Sequence, residues 1–190
     1  MLSPPRQAVA DELDRYDRLL EVGIGGRPGV ARTLAHRGRH VVAVDLDVAV
    51  DVDTDADVDT AAVDHTSSCL DAHRAPDGVS ERTRFDGSLR IHRADVVAIA
   101  EATDPVAAFR EAIGDVSSVE WRNVEAVYAL NLPAELQRPT VTLAAALDAD
   151  CLFTTLGFET PVVATRRRSL AGETVFVPHG PAGDGSDETS

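Results

Sequence analysis

The sequence predicts an α/β fold in which helices cover both faces of a mostly parallel β-sheet. Segments with the apolar pattern of strands alternate with segments that have helical spacing and helix-start signals. The run HVVAVD at residues 40–45 is almost entirely apolar, which is typical of a parallel strand buried on both faces. With 190 residues and 44% hydrophobic side chains, the chain has the size and apolar content of one domain, which we predict over residues 1–177.

The N-terminal part of the chain has the pattern of a short helix followed by a βαβ unit. Apolar residues at helical spacing predict a helix over residues 5–16. A compact apolar strand follows at residues 18–22, and glycines separate it from a helix that Pro28 opens and Gly38 ends. The apolar run at residues 40–45 is then a second strand, parallel to the first.

Residues 46–90 are predicted to form an acidic insertion. Asp alternates with small residues at positions 51, 53, 55, 57 and 59. Two arrangements in this segment resemble metal sites. Asp53, Asp55, Asp57 and Asp64 have the spacing of a calcium-binding loop, but Val58 stands where that loop needs glycine. His65, Cys69 and His73 repeat every four residues, a helical rise of about 12 Å that is too long for one ion to contact all three. We therefore predict no metal site.

Beyond the insertion, strand and helix patterns alternate again to residue 177. Strands are predicted over residues 96–100, 124–130, 151–155 and 174–177, and helices over residues 105–113 and 133–147. The Gly-, Pro-, Asp- and Ser-rich tail over residues 178–190 is predicted to be disordered.

The charge pattern indicates a halophilic protein. The net charge is −14, all 18 basic residues are Arg, and Asp (21) outnumbers Glu (11). Such a chain stays hydrated in concentrated salt, where self-repulsion is screened. Concentrated salt weakens phosphate contacts, so general DNA binding is not expected. There is no apolar run of membrane-spanning length, and residues 1–10 contain prolines and an arginine and no apolar signal core, so we expect no signal segment. Cys69 and Cys151 are too few for a disulfide framework. We expect a cytoplasmic protein with reduced thiols and no membrane partner.

The strongest motif is LLEVGIGGRPGVARTLAHRGRHVVAVDLD at residues 19–47. A glycine-rich turn between a strand and a helix lets the backbone approach a ligand. An acid that ends the first strand (Glu21), the glycines Gly23, Gly25 and Gly26, and an acid that ends the second strand (Asp45) resemble the first two motifs of Rossmann-like methyltransferases that use S-adenosylmethionine (SAM). The resemblance implies that Asp45 accepts hydrogen bonds from both ribose hydroxyls. Arg27 stands where those proteins usually have a third glycine, and it would pair with the methionyl carboxylate or point to water.

A second motif is VYALNLPAELQRP at residues 127–139. Together with EVGIGGRP, ATDP at residues 102–105 and DADCLFTTLG at residues 148–157, it is similar to an uncharacterised archaeal family with a SAM methyltransferase-like fold and no established activity. Asn131-Leu132-Pro133 also resembles the loop of amino methyltransferases that holds the target nitrogen, although Leu132 replaces its first proline and Ala134 replaces its aromatic residue. Asn131 is thus the candidate catalytic residue, and its alternative role is to cap the following helix.

The resemblance implies a three-layer Rossmann-like sheet that should finish with an antiparallel hairpin. Only one convincing strand remains after residue 155, so we predict a C-terminally truncated sheet. The leading interpretation is a protein that binds SAM or S-adenosylhomocysteine (SAH) and, if it is an enzyme, methylates an acceptor that the sequence does not identify. One alternative is a non-catalytic nucleotide-binding or interaction module. The other is a nicotinamide-dependent oxidoreductase, which Pro28 disfavours because it occupies the position of the third fingerprint glycine.

Overall fold

The computed structural model describes residues 2–47, 87–114, 123–157 and 159–179, which belong to one compact unit. The Asp-rich run, the His65, Cys69 and His73 series and the tail beyond residue 179 lie outside the described residues.

A seven-stranded sheet forms the centre of the described structure. Its strands are β1 (Arg18–Val22), β2 (His40–Asp45), β3 (Ser88–Arg93), β4 (Ala126–Ala129), β5 (Asp150–Phe153), β6 (Thr165–Leu170) and β7 (Glu173–Pro178). Their order is β3-β2-β1-β4-β5-β7-β6. Strands β1 to β5 are parallel, and β7 is antiparallel to both of its neighbours. The strand order reverses between β1 and β4, and such a switch point opens a crevice at the carboxyl ends of the strands.

Helices cover both faces of this sheet, which confirms the predicted three-layer, mostly parallel α/β fold. They are α1 (Pro4–Leu13), α2 (Gly29–His36), α3 (Val96–Glu101), α4 (Pro105–Ala112) and α5 (Ala134–Ala146). Alternate strand residues supply two cores: Leu19 packs with α1 and α2, whereas Leu20 packs with α3, α4 and α5. None of the described helices has both the length and the apolar character needed to cross a lipid bilayer.

The prediction of a strand over residues 96–100 is wrong, because these residues form α3. Asp95 caps this helix: its side chain accepts hydrogen bonds from the N–H groups of Val97 and Ala98. The third strand instead lies just before it, at Ser88–Arg93, and its first three residues fall inside the predicted insertion. As an edge strand with half-exposed residues, β3 lacks the apolar run that a buried strand has.

The prediction of a truncated sheet is also wrong, because β6 pairs with β7 in an antiparallel hairpin. Three consecutive arginines, residues 166–168, occupy the middle of β6 and hide its strand character. Arg168 makes two 2.8 Å hydrogen bonds to the carboxylate of Glu12 on α1, so the strand is held to the helix that covers it. Gly172 makes the turn to β7 at a φ of 78°, a conformation that favours glycine.

Candidate functional site

The turn between β1 and α2 presents an open stretch of backbone. Gly23 and Gly25 have φ values of 72° and 55°, in the left-handed region that favours glycine. A Cβ atom built on Gly23, Gly25 or Gly26 would meet no other atom within 4 Å. A side chain at these positions would therefore project into the open space in front of the turn, where a ligand could contact the backbone.

The carboxylate of Asp45, at the end of β2, holds this turn in place. Its Oδ2 atom accepts a 2.8 Å hydrogen bond from the N–H of Gly25, and Oδ1 accepts a 2.9 Å bond from the N–H of Asp47. An ionised carboxylate has about four lone-pair sites, so each oxygen can accept one further hydrogen bond. The structure thus brings Gly25 and Asp45 together and leaves Asp45 with acceptor capacity on both oxygens.

Arg27 lies between this turn and the first turn of α2. Its side chain is exposed and forms no ion pair with any residue of the described ranges. Pro28 is the N-cap of α2, and no side chain caps the first N–H groups of the helix. The guanidinium group can therefore turn toward an anionic group of a ligand without breaking an existing pair.

Glu21 lies in β1 and is closed off from solvent. It is 2% exposed, and the Tyr128 hydroxyl donates a 2.8 Å hydrogen bond to its Oε2 atom. Burial, with a smaller contribution from the charge of Asp45, raises the pKa of Glu21 to about 7. The Tyr128 hydrogen bond and the charge of Arg6 on α1 oppose this rise. Burial beside Glu21 likewise holds the pKa of Tyr128 well above its usual value. Glu21 is thus a buried carboxyl group, whereas Gly23 and Gly25 border open space.

The loop after β4 carries Asn131 at the same carboxyl edge of the sheet. Asn131 is exposed and has a φ of 55°. Its N–H donates a 2.8 Å hydrogen bond to Oγ1 of Thr154, and the N–H of Leu132 donates a 2.7 Å bond to the Thr154 carbonyl. The cap interpretation of Asn131 is wrong, because Pro133 is the N-cap of α5 and no side chain caps the helix.

Two residues that sequence reasoning did not single out connect these parts. Tyr128 lies opposite Glu21 in the β1–β4 register, and Thr154 fastens the loop after β4 to the end of β5. A tyrosine in an otherwise aliphatic strand, and the pair of threonines after β5, are the sequence signals that mark them. Within the described residues, no group of three or more His, Cys, Asp or Glu side chains could hold a metal ion.

The solved structures that this chain resembles include two methyltransferases. One is an amino pentose methyltransferase from Micromonospora echinaspora, solved with SAM bound: it is 15% identical, with a TM-score of 0.40 over 91% of this chain and 61% of that protein. The other is the 1,6-didemethyltoxoflavin-N1-methyltransferase of Burkholderia thailandensis, solved with SAH: it is 14% identical, with a TM-score of 0.34 over 93% of this chain. This chain spans 60% of that second protein's length.

Sequence comparison identifies relatives of nearly the same length. Two UPF0146 proteins from Halobacterium salinarum, of strains R1 and NRC-1, are each 36% identical over 178 residues, which cover 93% of this chain and 97% of the relative. The model of the uncharacterised protein family UPF0146 matches residues 75–179. The chain therefore belongs to the uncharacterised protein family UPF0146, which has halophilic archaeal members.

Proposed function

We propose that this protein binds SAM or SAH at the turn between β1 and α2. The observation that carries the proposal is the carboxylate of Asp45, which bonds to the N–H of Gly25 and retains acceptor capacity on both oxygens. Two ribose hydroxyls are the pair of donors that such a carboxylate suits. The open space over Gly23, Gly25 and Gly26 fits a ligand that runs along the backbone of the turn.

The remaining candidate residues have distinct roles in this proposal. Arg27, exposed and without an ion pair in the described ranges, would pair with the methionyl carboxylate. Glu21 is buried in β1 against Tyr128, one residue before the end of the strand, and would act on the ligand through its charge rather than by contact. Asn131, exposed on the neighbouring loop, would face the acceptor.

Methyl transfer is the reaction that this arrangement would support. When bound, SAM supplies an activated methyl group on sulfur, so the chain has only to align the acceptor with it. Alignment of the acceptor with the methyl group by itself contributes strongly to the rate of such a reaction. The lack of an obvious general base among the described residues is therefore no objection to methyl transfer. The predicted truncation of the sheet was the argument for a non-catalytic module. The β6–β7 hairpin removes that argument, because the sheet does finish with an antiparallel hairpin.

A pair of variants tests the proposed site. Asp45→Asn keeps the size of the side chain but removes the charge and one acceptor, and the matched control is Asp47→Asn, two residues away and exposed. Thermal unfolding in molar KCl, with and without SAH, should show stabilisation of the wild type and of Asp47→Asn. For Asp45→Asn we expect SAH affinity to fall at least about tenfold, since hydrogen bonds to charged groups contribute roughly 1.5–3 kcal/mol each.

The controls separate the proposal from the alternatives. Equal stabilisation of both variants by SAH would remove Asp45 from the site. Stabilisation by NAD but not by SAH would favour the nicotinamide-dependent interpretation, and no stabilisation by either at millimolar concentration would favour a module that binds no nucleotide.

A further inference from the structure

A second concave surface lies beside the β6–β7 hairpin. It is a cleft of about 750 Å³, within the range of small-molecule sites. Residues of β6 and β7 form one side of the cleft. The other side, its wall, is formed by Thr155, Gly157, Glu159, Thr160, Pro161 and Val163. Phe153 and Phe176 are opposite each other in the β5–β7 pairing, which brings the start of β7 and the β6–β7 turn to the carboxyl edge of β5.

Arg167 is the only basic residue that lines this cleft in the described ranges. In the antiparallel register it is paired with Phe176, and side chains of such a pair share one face of the sheet. Arg166 and Arg168 must then lie on the opposite face, where Arg168 bonds to Glu12 of α1. Arg167 forms no ion pair with a described residue, so its charge is available to a ligand.

The lining defines the charge and shape of the ligand. The lining carries one arginine and two acids, Glu159 and Glu173, so its formal charge is −1. An anionic ligand is attracted by direct contact with Arg167 and opposed by the two acids, and the opposition is weaker for a monoanion than for a dianion such as a phosphate monoester. A guanidinium group matches the two oxygens of a carboxylate. Phe176 also lines the cleft. The residue is 8% exposed and its ring packs against that of Phe153, so it offers a ligand a small apolar contact.

The wall of the cleft is already held in place without a ligand. The buried amide of Gln137 on α5 accepts a 2.8 Å hydrogen bond from the N–H of Val162. The hydroxyl of Thr155 donates a 3.0 Å bond to the carbonyl of Glu159. Because these contacts already order the loop, binding of a ligand would cost little conformational entropy.

We propose that this cleft binds a small monocarboxylate with a ring or a short apolar body, with the carboxylate on Arg167 and the apolar part against Phe176. The site does not depend on the proposed adenosyl site. Thr155 lines the cleft and directly follows Thr154, which holds the Asn131 loop. If the chain transfers a methyl group, the ligand of this cleft is the acceptor; this assignment of the acceptor rests on the proposed function.

Ligand-observed fluorine NMR tests the site with 4-fluorobenzoate as the probe. The full chain in molar KCl should broaden the probe resonance in a saturable way. Benzoate should displace the probe and benzamide, its neutral analogue, should not. Arg167→Gln should weaken binding about tenfold, as expected for the loss of charged hydrogen bonds. Arg166→Gln is the matched control, because it removes the same charge from the other face of the same strand and should bind as the wild type does.

The proposal would be overturned by an absence of saturable broadening at millimolar probe, or by the same loss of affinity in Arg167→Gln and Arg166→Gln. Competition by benzamide as strong as that by benzoate would also overturn it, since the carboxylate would then have no role. Binding of 4-fluorobenzoate by a chain that fails to bind SAH would support the cleft and count only against the adenosyl site.

Discussion

Glu21→Gln should change how the stability of the protein depends on pH. Glu21 is buried, and its pKa rises from an ordinary value of 4.5 to about 7 in the folded chain, mainly because burial disfavours the charged form. The folded chain therefore retains this proton between pH 4.5 and 7, where the unfolded chain has lost it. Since the folded state binds more protons in this window, the free energy of unfolding falls as pH rises through it.

The size of the effect follows from the difference between the folded and unfolded pKa values. One pKa unit is equivalent to about 1.4 kcal/mol, so the wild type should lose about 3 kcal/mol of stability from this site between pH 4.5 and 8. Glutamine cannot ionise, and its amide oxygen can still accept the hydrogen bond from Tyr128. Glu21→Gln should lack this contribution and should be more stable relative to the wild type at pH 8 than at pH 4.5.

Urea unfolding in molar KCl, followed by far-UV circular dichroism at several pH values, measures the effect. His92, whose pKa is lowered by burial and by Arg90, titrates in both proteins and cancels in the difference between them. Glu111→Gln, a substitution at an exposed position of α4, is the control and should follow the wild-type slope. Parallel pH dependences of wild type and Glu21→Gln would refute the reasoning.

Three further predictions concern the salt dependence of stability, the segment over residues 51–64 and the thiol of Cys151. The melting temperature should rise from dilute buffer to molar KCl, because salt screens the net charge of −14 and strengthens apolar burial; a flat or falling thermal-scan curve would contradict the halophilic interpretation. Replacing residues 51–64 by a short linker should lower the free energy of unfolding by no more than about 1 kcal/mol, and failure of that chain to fold in molar KCl would make the segment a required part of the structure. Burial raises the pKa of the Cys151 thiol to about 12, so in a Cys69→Ser variant this thiol should react with a disulfide reagent at pH 8 only when the chain unfolds. Rapid reaction of the folded chain would contradict this prediction, because it would show an accessible thiol.

The parts of the fold that the sequence predicted correctly include the strands buried on both faces and the helices over residues 5–16, 105–113 and 133–147. The predicted strands at residues 18–22 and 40–45 match β1 and β2, and their apolar runs and flanking glycines are strong local signals. Two of the errors fall at the two edges of the sheet. β3 and β6 are edge strands whose residues are partly or fully exposed, so hydrophobic periodicity was weak there. A third error lies outside the sheet: the apolar run after Asp95 forms a helix, and short apolar runs do not distinguish strand from helix.

The site was predictable only where its residues are close to the turn in sequence. Gly23 and Gly25 follow β1 directly, and Asp45 ends the adjacent strand, so the parallel register alone brings them to one edge. The burial of Glu21 against Tyr128 depends on a strand that is 107 positions away in the chain, and a pattern within one segment carries no information about that contact. The Arg167 cleft likewise depends on the β6–β7 pairing, which the arginine run concealed.

Isothermal titration of the full wild-type chain with SAH in molar KCl, with NAD titrated in parallel, is the most direct measurement of the proposed function. The open turn over Gly23 and Gly25 and the acceptor capacity of Asp45 predict saturable binding of one SAH per chain. Pro28, which occupies the position of the third fingerprint glycine, predicts weaker or undetectable binding of NAD. An absence of heat with SAH at millimolar concentration, or equal affinity for NAD, would contradict the assignment of this turn as an adenosyl site.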